Sequence, residues 1–329
     1  TDPRFWIILV TLLATGSLIS GAYPAFVLSS FNTVEVLKGK AEKLSGGFSL
    51  RKALVVFQFI ASLILIAGTF TIYRQVMFMR SQDKGLAMDQ MVVIDGPRVL
   101  DWQDRKGSLS KFITFKNELK NITGVESVAT SGAIPGGGYN WGTGIRKDGT
   151  QREESKDGAI VWVDPDFVPT YGIPLIAGRN FNPEIRSDME SVLINEFALS
   201  SLGLGTPEEA LDERIILGDG DTVAILGVLK NYHWNSLKVA HGPFMLKADT
   251  ISGRHFSVHL VGNNFQSPIR DIEKLYSETF PGNPFNYSFL DDFFNKQYKG
   301  EQQFANIFTM VAILAIVIAC LGLWGLAAF

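Results

Sequence analysis

Ala53–Tyr73 reads ALVVFQFIASLILIAGTFTIY, 21 residues without a charge, closed on one side by Lys52 and on the other by Arg74. A helix that crosses a bilayer needs about 20 apolar residues. Helices that pack on a soluble core usually show a polar face, and the most polar residue here is Gln58. Two more runs have the same character. Phe5–Val34 holds 30 uncharged residues with its apolar stretch at Phe5–Leu28, and Gln302–Phe329 holds 28. The first run is too long for a signal peptide, whose apolar region is about 7–15 residues, and Thr1-Asp2-Pro3-Arg4 makes a poor basic leader. Three membrane spans are therefore predicted, at residues 1–30, within 53–84 and at 304–329.

The rest of the composition agrees. The 329 residues are 46% hydrophobic, with a mean hydropathy of +0.14, and the excess is concentrated in the three runs. Lys+Arg number 30 against 33 Asp+Glu, a net charge of −3, which gives no electrostatic case for nucleic acid. The single cysteine, Cys320, excludes an intrachain disulfide and any cysteine-based zinc site.

Lys/Arg bias in short loops sets orientation. The connector 31–52 holds Lys38, Lys40, Lys43, Arg51 and Lys52 against Glu35 and Glu42, so it is placed in the cytoplasm. Residues 74–303 then lie outside. The basic Arg74, Arg80 and Lys84 on that side open a long domain, and long domains cross largely regardless of charge. Both ends of the chain read as cut, so a piece of a longer multi-pass protein is expected.

The second span runs on without a breaker through Arg80, with Gly85 as a candidate C-cap. On the far side Leu290, Phe293, Phe294, Gln297, Tyr298 and Glu301 recur at helical spacing over 290–303. Two juxtamembrane helices, or a paired stalk, fit this pattern. Between them Met91–Asp95 reads as a strand, Leu109–Ile122 as a helical stripe and Val125–Thr130 as a strand. His255–Val261, Ile269–Tyr276 and Phe285–Phe289 repeat the β-α-β pattern. The predicted fold is an α+β membrane protein, in which transmembrane helices flank a ferredoxin-like α/β domain split into 85–131 and 223–289. A smaller, mainly β insertion occupies 132–222, with strands such as Ser191–Ile194 and Arg214–Leu217.

Chemistry is sparse. No Walker A loop, G-x-S-x-G or H-E-x-x-H occurs. Gly136-Gly137-Gly138 lacks the helix N-terminus and lysine of a phosphate cradle and reads as a loop, whose Tyr139 and Trp141 are candidates for partner contact. His255 and His259 share a strand face, but two histidines do not make a zinc site, and the sequence offers His233, His241 and these two no evident carboxylate partner. Asp219-Gly220-Asp221 looks like the start of a calcium loop, yet the twelfth position is Lys230, so a hairpin turn is expected instead. Asp291-Asp292 reads as a helix N-cap. No Asp, Glu, Lys, Arg or His falls inside the spans, which argues against ion-coupled transport through them. Ser17/Gly21/Ala25 and Ala315/Ala319 are small residues at a spacing of four, which permits close helix packing. No catalytic, cofactor or metal residue is assigned.

The ordered pieces Ser20-Gly21-Ala22-Tyr23-Pro24-Ala25, Val36-Leu37-Lys38-Gly39-Lys40 and Leu50–Phe59 point to a family. So do Ala177-Gly178-Arg179-Asn180-Phe181, Val192-Leu193-Ile194-Asn195-Glu196, Gly227–His233 and Ala319–Leu323. With these the chain resembles MacB/FtsX-type ABC transporter permeases, in the large form that joins two permease halves, and it would span the end of the first half and the start of the second. The resemblance implies a multi-pass protein of the bacterial inner membrane with a periplasmic porter-like domain. It implies mechanotransmission driven by a partner ABC ATPase that binds the ATP, with a periplasmic adaptor or outer-membrane protein as a further partner. It leaves the cargo open among peptides, lipoproteins and drug-like molecules. The competing class is a membrane sensor with an extracytoplasmic ligand-binding domain, which leaves the span at Phe5–Leu28 unexplained.

Overall fold

The computed structural model describes residues 3–29, 50–99, 105–218, 220–240, 242–249 and 254–327. The basic connector therefore lies almost wholly outside the described residues, as do Asp219 and His241. The chain divides into two compact units, Thr1–Ala67 with Met310–Phe329, and Gly68–Thr309.

The first unit is helical. It holds α1 (Pro3–Ser29), the first part of α2 (Leu50–Ser81) and the second part of a long helix near the C-terminus, Lys299–Ala327. Among the described residues two helices, Val56–Ser81 and Leu290–Trp324, are long and apolar enough to cross a membrane, and α1 adds a shorter apolar stretch at Trp6–Leu18. Large apolar side chains stand exposed around them: Ile8, Leu12, Phe57, Leu63, Met310 and Trp324 among others. An exposed apolar surface of this kind is compatible with a lipid or protein neighbour.

Each long helix also carries one covered seam. On α2, Ser62 and Val76 are buried, with Gln58, Leu65, Thr69, Ile72 and Met79 half-buried. Toward the C-terminus, Tyr298, Ala305, Ala312 and Ala319 are buried, with Glu301, Phe308, Ala315 and Gly322 half-buried between them. Both patterns alternate steps of three and four, the 3.5-residue period of a left-handed coiled coil.

The second unit is built on a four-stranded antiparallel sheet. Its strands are β1 (Met91–Asp95), β2 (Val125–Ser131), β10 (His255–Leu260) and β11 (Tyr287–Phe289), in the order β11-β1-β10-β2. The helices α3 (Arg105–Leu119) and α6 (Gln266–Thr279) cover one face. Phe112, Phe115, Leu119, Ile269, Ile272 and Tyr276 pack there on Val92, Ile94, Val128, Phe256 and Val258. Met91, Val93 and Ala129 turn to the opposite face and join a second core. Both faces of β1 are thus buried, which is why it reads as a continuous apolar run rather than an alternating one.

Between β2 and β10 the chain forms β3 (Trp141–Lys147), β4 (Lys156–Val163), β5 (Leu175–Gly178), β6 (Ser191–Asn195), β7 (Arg214–Leu217), β8 (Thr222–Leu229) and β9 (Phe244–Ala248). Two short helices, α4 (Phe167–Thr170) and α5 (Glu196–Ser201), lie among them. Strands β4-β3-β7-β8-β6-β9 pair in that order, and β9 returns in parallel to β4, so the six close into a barrel. Ile145, Ile160, Val192, Ile194, Leu217, Val223, Ile225 and Met245 form its core. The strands Thr222–Leu229 and Phe244–Ala248 pair inside this ring with strands of residues 132–222. The expected β7–β8 hairpin is present, with Leu217 N donating to Asp221 O at 2.9 Å.

One ion cluster ties α3 to the strand end beyond β4. Lys116 Nζ lies 2.6 Å from both Asp164 Oδ2 and Asp166 Oδ2, and Lys120 Nζ lies 2.7 Å from Asp166 Oδ2. Asp164 also accepts from Thr130 N at 2.7 Å. Burial pushes the Asp164 carboxyl up, against the pull of Lys116 and Thr130. Burial also acts to lower the Lys116 ammonium, yet its two carboxylate partners outweigh that and hold it above the ordinary lysine value.

Candidate functional site

The chain leaves β11 into α7 (Leu290–Asn295), passes through a 3-10 turn at Lys296–Tyr298 and enters α8 (Lys299–Ala327). The stripe expected over 290–303 is therefore helical but interrupted by a tighter turn. Leu290, Phe294 and Tyr298 recur every four residues on one face, and all three are 0% exposed. They belong to the second core, with Met91, Val93, Ala129 and Trp234. The foot of the trailing helix is thus part of the interior of the domain.

A strap of main chain, Tyr232–Lys238, fastens that foot. Ser236 N donates to Gln297 Oε1 at 2.9 Å, and Leu237 N donates to Tyr298 Oη at 3.0 Å. Lys238 Nζ donates to Gln297 O at 3.1 Å, pairs with Glu301 and sits 5.4 Å over the Tyr298 ring. The glycine loop closes the other side: Gly136 N donates to Trp234 O at 2.7 Å, and Trp234 Nε1 donates to Gly138 O at 2.6 Å. Gly136 has φ +83°, and a Cβ there would stand 2.5 Å from Gln297 Nε2. Only glycine fits both the backbone angle and the approach.

The same strap receives the leading helix. α2 ends at Ser81, and Asp83 Oδ1 accepts from Gly85 N at 2.9 Å as the chain turns. Gly85 has φ +72°, so it marks that turn, four residues past the helix, and is not the cap of α2 itself. His233 N donates to Lys84 O at 2.8 Å. Lys84 Nζ donates to Arg80 O at 3.0 Å and lies 5.8 Å over the Phe294 ring. Burial pushes this ammonium below the ordinary lysine range, against the pull of Asp89 and Asp83. Seven residues of strap hold both long helices at their domain ends. Main-chain, amide and aromatic contacts make up most of this joint, with the Lys238–Glu301 ion pair beside them.

The residues singled out in the sequence fall into different places. Tyr139 is in the joint, its hydroxyl accepting from Asn235 Nδ2 at 2.6 Å, whereas Trp141 opens β3 and pairs across to Ile160. His255 and His259 do have carboxylate neighbours, contrary to expectation. His255 Nδ1 lies 3.4 Å from Asp95 Oδ1, and His259 Nδ1 lies 2.7 Å from Glu126 Oε2. At about 3.3 Å per strand residue the two imidazoles serve separate pairs. Asp291 and Asp292 do not cap α7, whose N-cap is Phe289; they fill its first turn, where negative charge suits the helix dipole. Arg179 proves to be a structural tie, its guanidinium gripping Asp188 at 2.5 and 2.8 Å. Asn231 N donates to Glu196 Oε2, and its own Oδ1 accepts from Phe197 N. Trp234, Ser236, Leu237 and Lys238 were not singled out, and half of what they do runs through backbone groups that leave no sequence signature.

No protein-family model matches the chain, and no curated protein matches it. Among solved structures, the periplasmic region of MacB from Actinobacillus actinomycetemcomitans is similar at 12% identity and TM-score 0.45, over 67% of this chain and 97% of that one. The extracellular domain of the noncanonic ABC-type transporter YknZ from Gram-positive bacteria is similar at 16% identity and TM-score 0.39, over 60% and 97%.

Proposed function

We propose that the chain is permease material of an ABC transporter, in which a partner ATPase moves the long helices and the joint at Tyr232–Lys238 passes that movement to the outer domain. The observation that carries the reading is the shared strap, since one short segment bonds to Lys84 at the end of the leading helix and to Gln297 and Tyr298 at the foot of the trailing one. Two covered seams of equal period support pairing of α2 with α8 as a coiled stalk. The strand order β11-β1-β10-β2 with α3 and α6 on one face supports the split ferredoxin-like reading, with the barrel as the insertion. In this proposal the large domain lies in the periplasm, the protein sits in the bacterial inner membrane, and ATP is bound only by the partner. A peptide, lipoprotein or drug-like cargo is extracted or exported by the domain.

The test is co-expression with candidate ABC ATPase subunits and purification in lipid nanodiscs. Stable association, with turnover that differs from that of the free ATPase and is lost in a Walker-lysine variant, is expected. A protein that associates with none of them, yet binds an extracytoplasmic ligand that changes α2 or α8, would make it a sensor instead.

A further inference from the structure

Beside the joint lies a small cleft lined by Tyr139, Tyr232, Trp234, Phe244, Asn195 and Asn235, with Gly242 on its wall. The cleft has a volume of about 40 Å³. One water needs roughly 10–15 Å³ on that measure, so a side chain of a few heavy atoms fits. The walls are aromatic: Phe244 sits at the centre, with Trp234 at 4.9 Å, Tyr232 at 5.5 Å and Tyr139 at 5.9 Å between ring centroids. Among the described lining residues none is an aspartate, glutamate, lysine or arginine, and His233 is the one imidazole.

Two uncharged polar groups stand together at this cleft. Tyr139 Oη accepts from Asn235 Nδ2 at 2.6 Å, which leaves the phenol proton to donate outward, and Asn235 keeps its carbonyl oxygen as an acceptor. Tyr139 is 44% exposed, so the pair is reachable from solvent. A neutral donor beside a neutral acceptor matches the two faces of a peptide bond. Apart from the His233 imidazole, the described lining offers a charged ligand no counter-ion, and burying a charge without one is costly.

We propose that this cleft binds an uncharged peptide segment, with one small apolar side chain against Phe244 and Trp234 and its main-chain amide bridging Tyr139 Oη and Asn235. The proposal rests on the cleft alone and stands whether or not an ATPase partners the chain. Its position next to Trp234 and Ser236 places the bound segment against the strap that holds both helices.

The probe is N-acetyl-alanine-methylamide, titrated into the whole chain in nanodiscs with 15N-labelled tryptophan. The Trp234 indole signal is assigned through Trp234→Phe. Saturable movement of that signal with a dissociation constant on the order of 10 mM is expected for so small a ligand. Tyr139→Phe should weaken it about five-fold, the worth of one neutral hydrogen bond. Gly242→Leu should weaken it, because Gly242 lines the cleft and a Cβ there meets nothing within 4 Å, so a larger side chain is accommodated at the cleft wall. An N-acetyl-glutamate probe should leave the signal still. The proposal is overturned if the indole signal does not saturate with the alanine probe, if Gly242→Leu binds as the parent does, or if the glutamate probe binds equally well.

Discussion

The two long helices meet the domain in unlike ways. α2 arrives with Val76 buried and Met79 and Leu86 half-buried, and is then held through Lys84 by one main-chain bond and a cation over Phe294. α8 is preceded by Leu290, Phe294 and Tyr298, all sealed in the core, and its foot is strapped by Ser236, Leu237 and Lys238. Close-packed interiors transmit displacement, whereas a chain turn outside one absorbs it. Under the proposed function the trailing helix serves as the rigid lever and the half-buried turn 82–87 as the pivot of the leading one. The widest test of this contrast is Phe294→Ala against Leu86→Ala. Removing the buried ring should cost about 3–5 kcal/mol, and removing the half-buried leucine about 1 kcal/mol, read as shifts in the unfolding midpoint of the purified protein. Equal losses would erase the asymmetry.

A smaller effect is expected away from both helices, at the ion cluster that joins α3 to the barrel. Lys116→Met leaves Asp164, with its side chain 7% exposed, without its ammonium. Breaking a buried pair by removing one partner costs about 3 kcal/mol. The loss should spread over the domain and leave the difference between Phe294→Ala and Leu86→Ala intact. Its pH dependence has a definite sign. A carboxyl whose folded pKa is raised takes up its proton first in the folded state, so stability is regained as pH falls through that raised value toward the ordinary aspartate value near 3.9. Asp166, held low by Lys116 and Lys120 despite partial burial, behaves oppositely in the parent, whose stability falls in acid below that range. The variant should accordingly narrow its deficit as pH falls from neutral toward the ordinary aspartate value; a deficit that widens would place the charge elsewhere.

The contrast between the helices was half visible in the sequence. Leu290, Phe294 and Tyr298 stood out because burial on one helical face imposes a spacing that any reading of apolar residues finds. Met91–Asp95, the stripe Ile269, Ile272 and Tyr276, and the hairpin about Gly220 were legible for the same reason, each being local. The barrel was not. Its closure joins β4 to β9 across some 80 intervening residues, and only the fold supplies that pairing. β3 carries Gly142 and Gly144, and β4 carries Gly158, where a Cβ would stand 2.8 Å from Ile145 Cδ1. Glycines that make room for a neighbour look like turn residues to a reader of sequence. The strap was invisible because its decisive donors are the main-chain N–H groups of Ser236 and Leu237, which every sequence offers.

The finest test concerns what the Lys238–Glu301 ion pair adds to the strap. Lys238 and Glu301 are 35% and 36% exposed at the side chain, and pairs so open to water contribute about 0.2–1 kcal/mol. Lys238→Met, Glu301→Gln and the double variant should each shift the unfolding midpoint only slightly, with a coupling energy below about 1 kcal/mol. Lys238 has the larger single effect of the two, because its ammonium also donates to Gln297 O and lies over the Tyr298 ring. High salt should shrink the coupling further, since exposed charges are screened over about 10 Å at 0.1 M. A coupling above 2 kcal/mol would mean that the polar strap, and not the three sealed side chains, holds the trailing helix. The rigidity assigned to that helix would then depend on salt and could be released by its surroundings, as the leading helix can be at its pivot.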